Sequence, residues 1–537
     1  MKIYKWLNRS ITTKLLAVIF LFILIISLIP LLMVSSYNVP SADDYSHSFL
    51  GYTSWSENRS IPLLIKAAFE HIIYTREYTS GLYSISIITV VAPFVMHNYW
   101  IIAYITIIPL SFFSIFFLFM LFRNIFKADA WSSLLIAVIT SICMIQGVPG
   151  AMTIGVPSPV ESFYWHPGAT TYTTATALFF LTIGLSIKLN YTESKRYKIY
   201  YSISCPIMVI FYSGANYITS FGSASLSILI ICLFILARVK PKIPIKLSPY
   251  ILIPVFFSVC SFLFATTAPG NARRFISEAT REIGNPTIFS ATHASLSFTG
   301  DVLLNRWMTP FLLICIIFLI PFFVKIAKNL DFSFKFPVLV TLVSYLYLSS
   351  LAFPNYFAII GYIARRIQGV IYSVFIILLI LNVFYWVGWV SKKLLNRHLI
   401  SKLMAGRETQ PIIDGLLNFC RKHAFVGVVL LAVFSAPLFI SVMSVDYSAR
   451  DYSTPAAIWD LRTGRASTYY SEYLKRLKVL EDPEIMDVVF DRFSVYPNTL
   501  FYTDIVGDEH HPLFWQNMVL RRFYNKDSIF LSEVNYR

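Results

Sequence analysis

Charge is scarce in this chain. Only 13% of its 537 residues are Asp, Glu, Lys or Arg, about half the share found in a soluble globular domain. Long apolar runs recur to about residue 443, which excludes a soluble enzyme and predicts a polytopic membrane protein. Cysteine is scarce too. Cys143, Cys205, Cys232, Cys260 and Cys315 fall in apolar runs and Cys420 in a basic loop, so neither a disulfide framework nor a metal-type cysteine spacing is expected. A phosphate-binding lysine loop, a dinucleotide glycine fingerprint, HExxH and a serine nucleophile elbow are all missing. Without a nucleotide site, an activated substrate has to arrive from the lipid phase.

What is present is a series of apolar spans near 13–35, 100–122, 131–148, 171–188, 199–214, 218–237, 249–267, 308–327, 336–353, 369–390 and 424–443. The first run, Leu15 to Val34, follows Lys2, Lys5, Arg9 and Lys14 and has no small-residue cleavage site behind it, so it reads as an uncleaved first span. Leu82 to Val95 is too short to cross about 30 Å of hydrocarbon and reads as a re-entrant or interfacial helix. The excess of basic residues is sided. The N-terminal tail and segments 123–130, 188–198, 238–246, 325–335 and 391–423 carry 24 of the 44 basic residues and five of the 28 acidic ones. That distribution places the N-terminus in the cytoplasm and the C-terminus outside. It makes the basicity a topology signal and not a nucleic-acid footprint.

Four external regions follow. In the first, 36–99, Ile61, Leu64, Ile65, Ala68, Phe69, Ile72 and Ile73 recur at helical spacing behind Ser60 and Pro62, with Lys66, Glu70 and His71 toward the other face. This predicts a helix lying on the outer membrane surface. The second and third are 149–170 and 268–307. The fourth is the tail from about 444, where "TPAAIWDLRT" predicts a helix and "MDVVFDRF" and "NTLFYTDIV" predict short strands. The expected fold is an all-α polytopic membrane domain, 1–443, of about eleven transmembrane helices, with a small extracytoplasmic α/β appendage over 444–537.

Ionisable groups at a membrane edge are costly and therefore candidates for function. They gather on the external side: Asp43 and Asp44, Arg76 and Glu77, Glu161 with Trp165 and His166, Asn271 with Arg273 and Arg274, and Arg365 and Arg366. A carboxylate there can take a proton from a sugar hydroxyl, and a neighbouring carboxylate can tune it or share a cation. Arginines on the side that normally lacks them could be snorkelling lipid anchors, but a bidentate contact to a lipid phosphate or pyrophosphate is the favoured reading. "ESFYWHPG" is either an interfacial aromatic belt or a sugar platform. Asn216, in "GANY", is either a turn residue or a polar group at the outer end of a span pair. The glycine of "APGNARR" would let backbone approach a ligand.

The ordered motifs "PSADDYSHSF" at 40–49, "TREYTSG" at 75–81, "ESFYWHPGATTYT" at 161–173, "APGNARR" at 268–274, "RRIQGVIY" at 365–372 and "DEHHPLFWQNMVLRRFYN" at 508–525 resemble the GT-C superfamily of membrane glycosyltransferases. More narrowly, they resemble a bacterial family related to O-antigen and teichoic-acid modifying enzymes. The resemblance spans nearly the whole chain. It implies a polyprenyl-phosphate-linked sugar donor, a cell-surface glycan acceptor, and transfer on the outer face of the bacterial cytoplasmic membrane. It makes Asp43 or Asp44 the base and gives Arg273, Arg274, Arg365 and Arg366 the donor phosphate. Tyr45, Arg76, Glu77, Glu161, Trp165, His166, Asn216 and Asn271 become substrate-binding candidates. Relatives carry an acid near the tip where this chain has "GANY", so Asn216 departs from the pattern. No cofactor is assigned; a shared Mg2+ or Mn2+ on Asp43, Asp44 and Glu77 is the one metal set the carboxylates leave open. The rivals are an O-antigen polymerase or ligase, against which the early acidic pair argues, and a transporter or flippase. The latter should show paired repeats and helices broken at the midplane, and no repeat is present.

Overall fold

The computed structural model describes residues 12–147, 157–239, 247–279, 287–358, 363–396 and 452–532. The described residues are 79% helical, and the protein is an all-α polytopic membrane protein. Among them eight helices are long and apolar enough to cross a membrane: Thr13–Tyr37, Ile101–Ile125, His166–Tyr191, Tyr217–Leu236, Pro249–Thr266, Pro310–Asn329, Pro337–Ala358 and Arg365–Lys393. Helices dominate because a backbone in lipid must satisfy its own hydrogen bonds. Phe22, Phe112 and Ile317 are exposed on the rim of the bundle. Small residues line the interior: the Ser114 hydroxyl donates to Ser141 Oγ at 3.2 Å, a contact typical of helices packed without water.

Eight of the eleven expected spans are among these helices, and two of the other three differ. That at 131–148 is Ala130–Gln146, a 17-residue helix that is short for a crossing and almost wholly buried. That at 199–214 belongs to Lys195–Ser213, whose first turn carries Lys195, Arg196 and Lys198; these lower its apolarity. The last, 424–443, lies outside the described residues. At one end of the bundle Lys325 pairs with Asp129 at 2.9 Å, Asn190 Oδ1 accepts from the Ser248 amide and Lys392 donates to the Lys328 carbonyl. Each of these tie points lies in or beside a basic segment.

At the opposite end three helices fill the first loop: Asp43–Asn58, Ile61–Tyr78 and, after a short turn, Ser86–Val95. The last is the apolar segment too short to span. Gly51 makes the packing feasible, since a Cβ there would sit 1.9 Å from the Thr89 carbonyl oxygen. Ile61–Tyr78 has two apolar faces. Leu64, Ala67, Ala68, His71 and Thr75 turn inward at i, i+3, i+4 and i+7 spacing, while Ile61, Ile65, Phe69 and Ile73 are exposed. The exposed stripe is what an interfacial helix presents to lipid. His71 is therefore not on the polar face, where Lys66 and Glu70 pair at 3.7 Å; its position falls seven residues after Leu64, on the inward stripe.

The tail begins with Ser453–Arg462, packed along Thr13–Val34. Gln146 Nε2 donates to Thr454 Oγ1, which donates to the Ser27 carbonyl, both at 2.8 Å. Arg465–Glu481 follows. Strand β1, Asp487–Phe490, pairs in parallel with β2, Ser528–Leu531, and helix Trp515–Tyr524 packs against the pair. "MDVVFDRF" thus supplies a strand, but "NTLFYTDIV" does not. That stretch is held by side chains: the Asp460 carboxylate accepts from Thr499 N and Oγ1, and Asn517 bonds both backbone groups of Val506.

Candidate active site

Asp43 and Asp44 occupy the first turn of Asp43–Asn58, where a helix dipole favours negative charge. The preceding residue, Ala42, has φ 48° and ψ −117°, a backbone state that costs about 1–3 kcal/mol outside glycine and collects at functional sites. Consecutive helical residues point about 100° apart, so the two carboxylates serve different surroundings. Asp44 is fully buried, and its Oδ2 accepts from the Ser41 amide at 2.6 Å. The Tyr99 hydroxyl faces the same carboxyl, but no donor reaches Oδ1 within hydrogen-bond geometry. Asp43 is half-buried and lies within electrostatic reach of Arg366 and Arg274.

Burial raises the pKa of Asp43, against which Arg366 and Arg274 act. Burial raises Asp44 well above the carboxylate range, opposed by the Ser41 amide and the Tyr99 hydroxyl and reinforced by Asp43. The sign for stability follows. A carboxyl whose native pKa exceeds its unfolded one contributes stability that is complete below about pH 3.9 and is lost as pH rises through the higher native value. Asp44→Asn removes the desolvated charge and keeps an oxygen for the Ser41 amide. Melting curves of the purified protein across pH 5 to 8 should therefore show the variant losing less stability than the wild type as pH rises; parallel curves would contradict the shift.

Opposite the carboxylates stands Glu161–His166. The chain passes through a wide π-type turn at Val160–Tyr164, breaks at Trp165, and restarts as His166–Tyr191 with a second such turn over Ala169–Thr174. Turns of this kind re-aim side chains and recur at functional sites. Glu161 Oε2 accepts from both the Arg366 amide and Nη1, each at 3.2 Å. The Arg366 guanidinium also lies over the rings of Trp165 and Tyr172, 5.2 and 5.6 Å from their centroids. Arg365 is half-buried beside it in the same first turn. His166 is fully buried; its amide donates to the Tyr99 hydroxyl at 3.1 Å. The Trp165 ring face, a candidate sugar platform, is covered by Tyr502 of the tail, stacked at 4.2 Å and 13°. Tyr502 also lies in the fields of Arg366, Glu161, Asp43 and Asp44.

Polar atoms without a partner among the described residues collect here: Asp44 Oδ1, Ser48 Oγ, Trp165 Nε1 and both ring nitrogens of His166. An unmet buried polar atom costs about 1–3 kcal/mol, so this cluster suits ordered water or a hydroxyl-rich ligand. His47 and His71 pack ring to ring at 5.7 Å, and burial lowers both to a pKa of about 4. They are neutral at physiological pH and bring no charge to a phosphate.

The other predicted residues are placed elsewhere. Arg273 pairs with Glu77 at 2.6 Å and lies over Tyr78. Arg76 donates to the Phe264 carbonyl and covers its ring. Asn271 Oδ1 accepts from the Gly81 amide and the Tyr217 hydroxyl. Together they tie the end of Ile61–Tyr78 and the turn after it to Leu252–Thr266 and Pro269–Ala279. Gly270 serves the same junction, since a Cβ there would meet the Thr79 amide at 2.7 Å; it lets backbone approach backbone and not a ligand. Asn216 is buried, donates to the Thr171 carbonyl and accepts from the Thr219 amide, which makes it a helix cap. Tyr45 packs against Phe523 and Tyr524 of the tail. With Glu77 engaged by Arg273, the residues do not fit a cation held by Asp43, Asp44 and Glu77; among the described residues no three metal-type ligands converge.

Two site residues escape sequence reasoning. Tyr99 resembles any belt tyrosine at a span end, and Tyr502 reaches the site from the far end of the chain. No family model, curated protein or solved structure matches the chain.

Proposed function

We propose that the chain is an integral-membrane glycosyltransferase. It moves a sugar from a polyprenyl-phosphate donor to a cell-surface glycan on the external face of a bacterial cytoplasmic membrane. One observation carries the reading: a half-buried carboxylate at a helix N-terminus, Asp43, lies within electrostatic reach of Arg366 and Arg274. A base with two phosphate-seeking cations in its field is what such a transfer requires. Asp43 takes the proton of an acceptor hydroxyl, and the oxygen attacks the anomeric carbon. The bond from that carbon to the phosphate oxygen breaks, and polyprenyl phosphate leaves against the guanidinium groups of Arg274, Arg365 and Arg366. The leaving group is already anionic, so no general acid is needed, and a single displacement inverts the anomeric centre. A carboxylate whose pKa burial raises from its ordinary value is better matched to a proton transfer near neutral pH. Arg273, engaged by Glu77, acts through the latch that carries Arg274.

Cells that make the chain should carry a glycosyl substituent on an envelope polysaccharide that is missing when its gene is deleted. Mass spectrometry of the released polysaccharide checks this, and identical spectra would contradict it.

A further inference from the structure

The tail also holds an open cleft of about 420 Å³, lined by Arg492, Tyr496, Phe501, Asp508, His511 and Ser532. That volume lies in the range of ligand-binding clefts. Its chemistry is mixed. Tyr496 is 42% exposed and lies edge-on to Phe501, the centroids 4.7 Å apart. His511 Nδ1 accepts from the Leu513 amide at 3.1 Å, so the neutral ring carries its proton on exposed Nε2, as a donor. Arg492 and Asp508 add exposed charges of opposite sign, and the Ser532 hydroxyl is bonded to Asp491. A cleft of balanced charge does not select a polyanion, and one so polar does not suit a lipid tail. Aromatic faces among separate donors and acceptors match a polyhydroxylated ring, with its apolar C–H face and its rim of hydroxyls.

Position agrees with chemistry. Asp504 and Ile505 border this cleft and also an inner cavity whose far wall includes Ser41 and Ala42, just before Asp43. Asp504 is held rigid by Arg476 through bonds of 2.7 and 3.1 Å. Tyr502, two residues earlier, is the ring stacked on Trp165. The wall of the cleft is thus continuous with the residues that roof the carboxylate site.

We propose that this cleft binds the acceptor: an uncharged or weakly charged oligosaccharide stretch that leads the accepting hydroxyl under Tyr502 to Asp43. The identity of the ligand as acceptor rests on the transferase reading; the cleft as a glycan site does not. The test uses the full-length protein in lipid nanodiscs on an array of bacterial envelope oligosaccharides. Wild type and Asp43→Asn should retain the same glycans with equal affinity. Tyr496→Ala and His511→Ala, both at exposed positions and with unchanged melting temperature, should each weaken binding about tenfold or more. If wild type retains no glycan, or if both variants bind as wild type does, the cleft assignment falls. The transferase reading then still stands wherever Asp43→Asn abolishes transfer. If transfer itself is never observed while the two variants lose binding, the cleft remains a glycan site and the acceptor role is lost.

Discussion

Asp43→Asn is expected to slow sugar transfer by about 10²- to 10⁴-fold, the range for removal of a general base, with expression and melting temperature close to wild type. The substitution keeps the size of the side chain at a half-buried position and removes its capacity to take a proton. Asp44→Asn should cost far less turnover. Its carboxyl is fully buried and spends Oδ2 on the Ser41 amide, so its part is to hold the turn that aims Asp43. Asp44→Leu is the informative opposite, because it deletes the acceptor for Ser41 and should lower the melting temperature. Initial rates on the purified variants check the assignment. Loss of turnover in Asp44→Asn with retention in Asp43→Asn would reverse it.

Arg366→Ala should be the most damaging single change to the fold of the site. Glu161 is 13% exposed and Arg366 28%. Removing one partner of a buried pair strands the other charge, at a cost of roughly 3–5 kcal/mol. The partial exposure of Arg366 puts the expected loss at the lower end, about 3 kcal/mol. The paired change Arg366→Gln with Glu161→Gln should recover most of that stability, since no isolated charge remains, but should not recover transfer, since the guanidinium is gone. Arg366→Lys should fold and still transfer poorly, because an ammonium cannot reproduce a planar fork set over Trp165 and Tyr172. Melting curves and rates on the three proteins separate the two roles. Full activity in the Gln–Gln protein would make Arg366 purely structural.

Much of this site is visible in the linear sequence for one reason. Charge at a membrane edge is expensive, so Asp43, Asp44, Glu161 and Arg366 stand out wherever apolar runs stop. The same rule also selects residues that serve only each other: Arg273 and Glu77 carry the same signature yet pair across two helices, and only geometry tells a latch from a phosphate site. Apolar periodicity finds the surface helix Ile61–Tyr78 but not its orientation. Two apolar stripes run along it, and which one takes His71 inward depends on what packs there. The strand pairing of the tail is nonlocal. "NTLFYTDIV" has the composition of a strand but finds its partners in the side chains of Asp460 and Asn517, and "SIFL" pairs with β1 instead. Tyr502 is the extreme case, because nothing in its neighbourhood along the chain distinguishes it from the other tyrosines that end up over an arginine or a tryptophan.

The central claim is that this protein transfers a sugar from polyprenyl phosphate, with Asp43 as base. Its most direct test is reconstitution into liposomes with a polyprenyl-phosphate sugar labelled in the sugar, together with envelope polysaccharide from a strain lacking the gene. The label should pass to the polysaccharide with inversion at the anomeric carbon, polyprenyl phosphate should appear in equal amount, and Asp43→Asn should do neither. No transfer from any polyprenyl-phosphate sugar by protein that is folded and correctly inserted, or undiminished transfer by Asp43→Asn, would contradict it.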